Sequence, residues 1–387
     1  MKKVFCVVLI VMMTLSLLTV FAEEQTETPA EETTTISVEN NAILERCYTL
    51  AYNAISAQDY NNAKDYIGVC LGYCDPQTDP TMYADLLLKL ACINVIEEKY
   101  DIAQLNLNSV LRIQPDWADA YLVRVQAYAA QDNVDKAIEN LEKYIELSQE
   151  TGLYQTLAEL YEAKGSMAAA QEAYDKYVAA LAEPTEEEIF QAALYRKQAD
   201  DFEGSITTFE TLADSEVYGA GAMFNIAVSK MNLGDYAGAT KAFNDCEEKG
   251  GTFEGLYFYR GLSKAMIDAW AEAAADFAQS IEKEQLVNEA TYYLAYSQFM
   301  QDDYEAAIAN FTAYIENVNN DYSAYSFRAA CEVAAGLQEE ALADYTVCIE
   351  NGYDLFNSYS QRAAVYQTMG DTENYNKDLR ESLKYAE

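Results

Sequence analysis

The chain has 387 residues, with 64 acidic side chains against 25 basic ones, no histidine, and a formal net charge of −39. A nucleic-acid partner calls for a basic face to replace phosphate counterions, which this balance argues against; the missing histidine removes the Ser-His and Cys-His nucleophile pairs, the commonest metal ligand and the usual pH switch. Because 51% of the residues are hydrophobic, a folded, anionic and non-catalytic protein is expected rather than an acidic tail.

In chain order, residues 1–22 read as an export signal. Lys2 and Lys3 precede an apolar run from Val4 to Phe21, and Val20-Phe21-Ala22 offers a cleavage site before Glu23. The run is long for a signal and near the lower limit for a membrane span, so an uncleaved N-terminal anchor stays open. Either way the lysines stay inside and the bulk is expected outside the cytoplasm, secreted or associated with the cell envelope. Residues 23–36 form an acidic Glu/Thr-rich spacer that cannot bury enough apolar surface to offset its ordering entropy.

Residues 37–387 repeat with a period near 34. A small residue recurs at Ala63, Ala103, Ala137, Ala170, Ser205, Ala239, Ala273, Ala307 and Ala341, with Tyr375 in the tenth place. A second small column precedes it by 12 positions (Ala51, Ala91 and so on to Ala363), and a large residue follows by four, from Ile67 to Leu379. Each copy carries two apolar stripes at helical spacing around a polar break such as Leu233-Gly234-Asp235. Small residues let two helices approach, and stacking buries the face that no copy buries alone.

A 34-residue helix-turn-helix unit of this pattern resembles the tetratricopeptide repeat family. The resemblance is carried by Tyr257-Phe258-Tyr259-Arg260-Gly261-Leu262 with Trp270, Ala273 and Phe277, by Asp303-Tyr304 with Ala307 and Phe311, and by Pro115. It implies an all-α, right-handed superhelical solenoid of about ten repeats. Three departures stand out: a longer turn at Asp75–Pro80, a capping box at Thr185 and Glu188 after Pro184, and a terminal cap at Tyr375.

No phosphate loop, dinucleotide fingerprint, nucleophile elbow or calcium loop occurs, so no cofactor and no metal are expected. Acidic pairs such as Asp302-Asp303 and Glu339-Glu340 fall at helix starts, where they complement the helix dipole. Arg260 and Asp276, Arg328 and Asp344, and Arg362 and Asp378 share a spacing of 16 and read as structural clips between paired helices. Cys70, Cys246 and Cys348 occupy one column as small core fillers, which suggests a reducing or anoxic habitat; a metal or redox pair at Cys70 and Cys74 is the weaker alternative.

In the family, three positions of each first helix line a concave groove. Carried over, they are Phe224, Val228 and Met231; Phe258, Leu262 and Ala265; and Tyr292, Tyr296 and Phe299. The expected function is an exported scaffold binding a neutral or basic protein or peptide in this trough, with membrane contact only through an uncleaved N-terminus. Burial of the trough by flanking helices is the competing reading. Solute or glycan binding by the tyrosines is the alternative function, and an enzyme built on carboxylates alone comes third.

Overall fold

The computed structural model describes the backbone from residue 35 to 386 and the side chains from residue 40; the expected signal and nearly all of the spacer lie outside the described residues. Among the described residues are twenty α-helices, one short 3-10 turn (Thr151–Leu153) and no strand. No described helix is long and apolar enough to cross a membrane.

The helices form ten antiparallel pairs, one per repeat. The first eight are α1 (Thr35–Ser56), α2 (Tyr60–Tyr73), α3 (Pro80–Ile96), α4 (Tyr100–Ile113), α5 (Ala118–Ala130), α6 (Val134–Ser148), α7 (Tyr154–Lys164) and α8 (Met167–Ala180). Then come α9 (Glu186–Gln198), α10 (Phe202–Glu210), α11 (Gly219–Asn232), α12 (Tyr236–Glu248), α13 (Leu256–Ala265) and α14 (Trp270–Glu282). The last six are α15 (Val287–Phe299), α16 (Tyr304–Asn317), α17 (Tyr322–Ala335), α18 (Gln338–Glu350), α19 (Leu355–Met369) and α20 (Thr372–Ser382). This is an all-α helical repeat solenoid.

The turn inside each pair is built one way throughout. A residue with positive φ ends the first helix, and the next residue caps the second. The positive-φ residue is Gly165, Gly234, Gly336 or Gly370 in four repeats, Asp132, Asp200, Asp268 or Asp302 in four more, and Gln58 or Glu98 in the first two. Glycine and aspartate suit this left-handed backbone; glutamine and glutamate are strained there. At Asp59, Asn133, Asp201, Asp235, Asp303 and Asp371 the cap side chain accepts from the backbone N–H three residues on. Five of the aspartates therefore satisfy exposed helix donors.

The described residues divide into two compact units, one ending at Pro184 and one beginning at Thr185. The division falls at the Thr185 capping box: Glu188 N–H donates to Thr185 Oγ1 at 3.3 Å, and Thr185 N–H donates to Glu188 Oε2 at 2.7 Å. Both ends of the box are satisfied, so α9 starts cleanly after the proline.

In the N-terminal unit the large column is mainly aliphatic, with Ile67, Leu107 and Leu141 buried and Tyr174 closing the row. Helix α3 is enclosed on most sides, burying Leu86, Leu87, Leu88, Cys92, Ile93 and Val95. Such all-round burial marks a helix central to a core. In the C-terminal unit Phe209, Phe243, Phe277 and Phe311 hold the same column, each with no exposed surface. Gly261 replaces the usual alanine opposite Phe277, where an added Cβ would lie 2.8 Å from the ring. In the tenth repeat the column position is Leu379, 38% exposed.

Candidate functional site

Within the C-terminal unit the first helices α11, α13, α15 and α17 contact one another in succession. They form a row that carries the residues expected in the trough. Neighbouring repeats close over part of this row. Phe258 is only 7% exposed, its ring centroid 5.9 Å from Phe277 and 5.8 Å from Tyr293. The expectation of an open trough surface at Phe258 is therefore corrected: the following first helix brings Tyr293 against it.

The other trough residues are half-buried. Phe224 packs against Phe243 and Phe253, at 5.7 and 5.0 Å. Val228 and Met231 pack on the same cluster, and Leu262 and Ala265 on the cluster around Phe277. Tyr292 lies edge-on to Phe311 and Tyr314, and its hydroxyl is 3.3 Å from Ser323 Oγ. Burial raises the Tyr292 hydroxyl pKa above that of free tyrosine, so it stays neutral. Tyr296 and Phe299 meet at Phe327, at 5.1 and 6.1 Å.

Two further columns supply the accessible apolar surface. Tyr259 and Tyr293 are each 36% exposed, Met266 is 60% exposed and Met300 41%. Each lies one residue beyond a position expected in the trough, and each tyrosine is seven residues before the methionine that caps the C-terminus of its helix, Met266 or Met300. Phe327 continues the Tyr259–Tyr293 column, and its ring stacks on Phe311 at 6.0 Å with 9° between planes. The 34-residue period would have found all five, since each column is aromatic or methionine in consecutive repeats.

The three Arg–Asp pairs are bidentate. Arg260 Nε and Nη2 donate to the two oxygens of Asp276 at 2.9 and 2.7 Å. Arg328 does so to Asp344 at 2.7 and 2.9 Å, and Arg362 to Asp378 at 2.7 and 3.0 Å. The third nitrogen reaches back to the preceding repeat: Nη1 donates to Asn244, Thr312 and Thr346 respectively. Each guanidinium also sits 5.4 to 5.6 Å from the tyrosine three residues earlier. One arginine thus joins three helices from two repeats, a reach that the spacing of 16 alone did not reveal. Burial works against the Arg260 charge, and the bonds to Asp276 and Glu247 outweigh it, so its pKa is raised.

The position occupied by Lys264 in repeat seven, where Nζ lies 2.8 Å from Asp276, is Glu332 in repeat nine. Glu332 is buried, 3.8 Å from Arg328 Nε, and its Oε2 has no hydrogen-bond partner. Burial first, then the Asp344 charge, push its pKa up to about 7. The seven cysteines among the described residues are free thiols, six of them buried; Cys348 Sγ points at the Tyr322 carbonyl oxygen, 3.5 Å away. Burial pushes the Cys70 and Cys246 thiols up to about 11, so both stay protonated and unreactive.

Two models of the tetratricopeptide repeat family match the chain, over residues 118–151 and 268–322. The first spans the pair α5 and α6, and the second runs from α14 to α16. Among solved structures, a tetratricopeptide repeat protein from Parabacteroides merdae is 14% identical, with 69% of this chain and 98% of that one covered at a TM-score of 0.42. The C-terminal part of a repeat-containing protein from Cytophaga hutchinsonii is 16% identical, with 62% and 98% covered at 0.46. YrrB, a tetratricopeptide protein with an unusual peptide-binding site, is 16% identical, with 46% and 91% covered at 0.41. No curated protein matches. Ten helical pairs share one register, and family models match one segment in each unit, so the chain carries tetratricopeptide repeats.

Proposed function

We propose that this chain is an exported scaffold that binds a protein or peptide partner on the first-helix face of its C-terminal unit. The observation that carries the reading is the set Tyr259, Met266, Tyr293 and Met300, accessible on two adjacent first helices and their C-caps above a packed aromatic floor. Aromatic and methionine side chains offer a large apolar contact area, and accessible groups of them mark interaction surfaces. Helices α13 and α15 repeat the pattern, so a ligand with apolar side chains at regular spacing fits it best. The net charge of −39 favours a neutral or basic ligand and speeds its approach at low salt. Export rests on the lysine-led apolar run of residues 1–22.

Peptide-display selection against the wild type and a Tyr259→Ser, Met300→Ser double variant tests the surface. Both side chains are partly exposed, so the variant is expected to fold. The wild type should enrich neutral or basic peptides with apolar anchors, and the variant should lose them. Equal recovery by both proteins would sink the reading. Sequencing the N-terminus of native protein, with Glu23 expected first, tests export separately.

A further inference from the structure

The arginine column has a fourth member in the N-terminal unit, and it lacks its acid. Arg124 on α5 stands where Arg260, Arg328 and Arg362 stand in later repeats, with Tyr121 three residues before it as those have their tyrosines. It keeps the backward contact: Nη2 donates to Asn108 Oδ1, 16 residues upstream. Sixteen residues downstream, where the others have Asp276, Asp344 and Asp378, stands Asn140, whose Nδ2 donates to the Lys136 carbonyl at 2.7 Å. Arg124 consequently makes no ion pair among the described residues, and its Nε is buried without an acceptor. In the three sister repeats that nitrogen donates to a carboxylate oxygen.

Arg124 and Asn140 both line a cleft of about 650 Å³ between α5 and α6, together with Tyr128 and Lys136 among others. Lys136 is a second cation without a carboxylate partner among the described residues; its Nζ lies 5.1 Å from the centre of the Tyr128 ring. Two acids on the rim are engaged, Glu146 by Lys143 Nζ at 3.0 Å and Glu142 by the Tyr161 hydroxyl at 2.6 Å. Glu139, also on the rim, disfavours a ligand with several negative charges.

We propose that this cleft binds one carboxylate of a peptide, with Arg124 and Lys136 as its cationic partners, in the role that Asp276, Asp344 and Asp378 play internally. A carboxylate matches the guanidinium fork in charge and geometry, and the sister repeats show it filling that fork. The ligand carries its acid locally and is otherwise neutral or basic. The site is separate from the first-helix face of the C-terminal unit and stands or falls independently of it.

The full chain is titrated with three capped tripeptides: one with a central aspartate and an amidated end, a triglycine with a free C-terminus, and amidated triglycine. Binding is followed by calorimetry and by the ε-NH resonance of Arg124. At least one carboxylate peptide should bind and shift that resonance, and the amidated triglycine should not; the tighter of the first two distinguishes a side-chain from a terminal carboxylate. Asn140→Asp supplies the acid from within and should weaken binding by about tenfold or more, the size of one charge-assisted hydrogen bond. Arg124→Met should weaken it at least as much. Should Arg124→Met fail to fold, Asn140→Asp decides alone, because it restores the arrangement of the stable sister repeats. Equal binding of all three peptides, unchanged binding by Asn140→Asp, or no shift at millimolar peptide overturns the proposal.

Discussion

The two units carry the same helical pair and hold it together by different means. In the N-terminal unit the large column is mainly aliphatic and the one arginine of the clip column has no acid. In the C-terminal unit four phenylalanines hold consecutive places in the column, and three arginines close bidentate clips that reach back to the preceding repeat. An Arg–Asp clip is not needed to specify the repeat, because none occurs in the clip column of the first six repeats, which stack all the same. The clips add fixed geometry, since a planar fork bonded on three sides tolerates little change in the angle between helices. Where the clip is complete its charge is spent internally; where the acid is missing, the charge is left for another use.

The largest effect should come from breaking a complete clip. Asp276→Ala leaves the Arg260 guanidinium, 7% exposed, without its bidentate partner. Breaking a buried ion pair costs about 3–5 kcal/mol, and the low end is expected here because Glu247 still bonds the Arg260 guanidinium. Asn140→Ala, at the equivalent place in the N-terminal unit, removes one hydrogen bond and should cost about 1 kcal/mol. Urea unfolding of both variants measures the contrast. Equal losses would mean that the two units do not differ in how their pairs are fixed.

A smaller effect lies within the C-terminal unit, where Glu332 takes the place that Lys264 has two repeats earlier. Its neighbours are Arg328 on its own helix, and Asp344 and Glu340 on α18. The folded protein holds the Glu332 proton up to about pH 7, against an ordinary value of 4.5. Below the ordinary value both folded and unfolded states are protonated, and the site costs nothing. As the pH rises toward 7 the unfolded state ionises first, so the cost grows and then levels off. Glu332→Gln should therefore match the wild type near pH 4.5 and exceed it by roughly 2–3 kcal/mol above pH 7. A gain equal at both pH values would place the effect in packing rather than in ionisation.

The fold was legible because its signal repeats. Ala63 and its successors are buried through the ninth repeat, and one period locates every helical pair. The bidentate Arg–Asp contacts lay at the noted spacing, but the third contact to Asn244 or Thr312 joins different repeats and has no local pattern. The candidate surface was legible only to within one residue. Helical periodicity puts Phe258 and Tyr259 on neighbouring columns, and which one the next repeat covers depends on how the stacked helices are rotated. Asn140 was hardest to read, because its meaning is the absence of the aspartate found in the sister repeats.

The smallest effect concerns the turns, where the units also differ. In the C-terminal unit the positive-φ residue of the turn inside each helical pair is glycine or aspartate, while the first two repeats use Gln58 and Glu98 there. Glu98, at φ 60°, has a Cβ in the left-handed region, which costs about 1 kcal/mol for residues of its kind. Its side chain is exposed, and its backbone N–H already bonds to the Val95 carbonyl, so replacing it removes no contact that holds the turn. Glu98→Gly should stabilise the chain by several tenths of a kcal/mol, the relieved strain outweighing the extra freedom glycine gives the unfolded state. Asp268→Gly, at the equivalent turn in the C-terminal unit, should gain less, because aspartate tolerates this conformation. Thermal unfolding of the two variants reads the difference. If Glu98→Gly lowers the midpoint, the first turns are not strained and the two units close their helical pairs equally well.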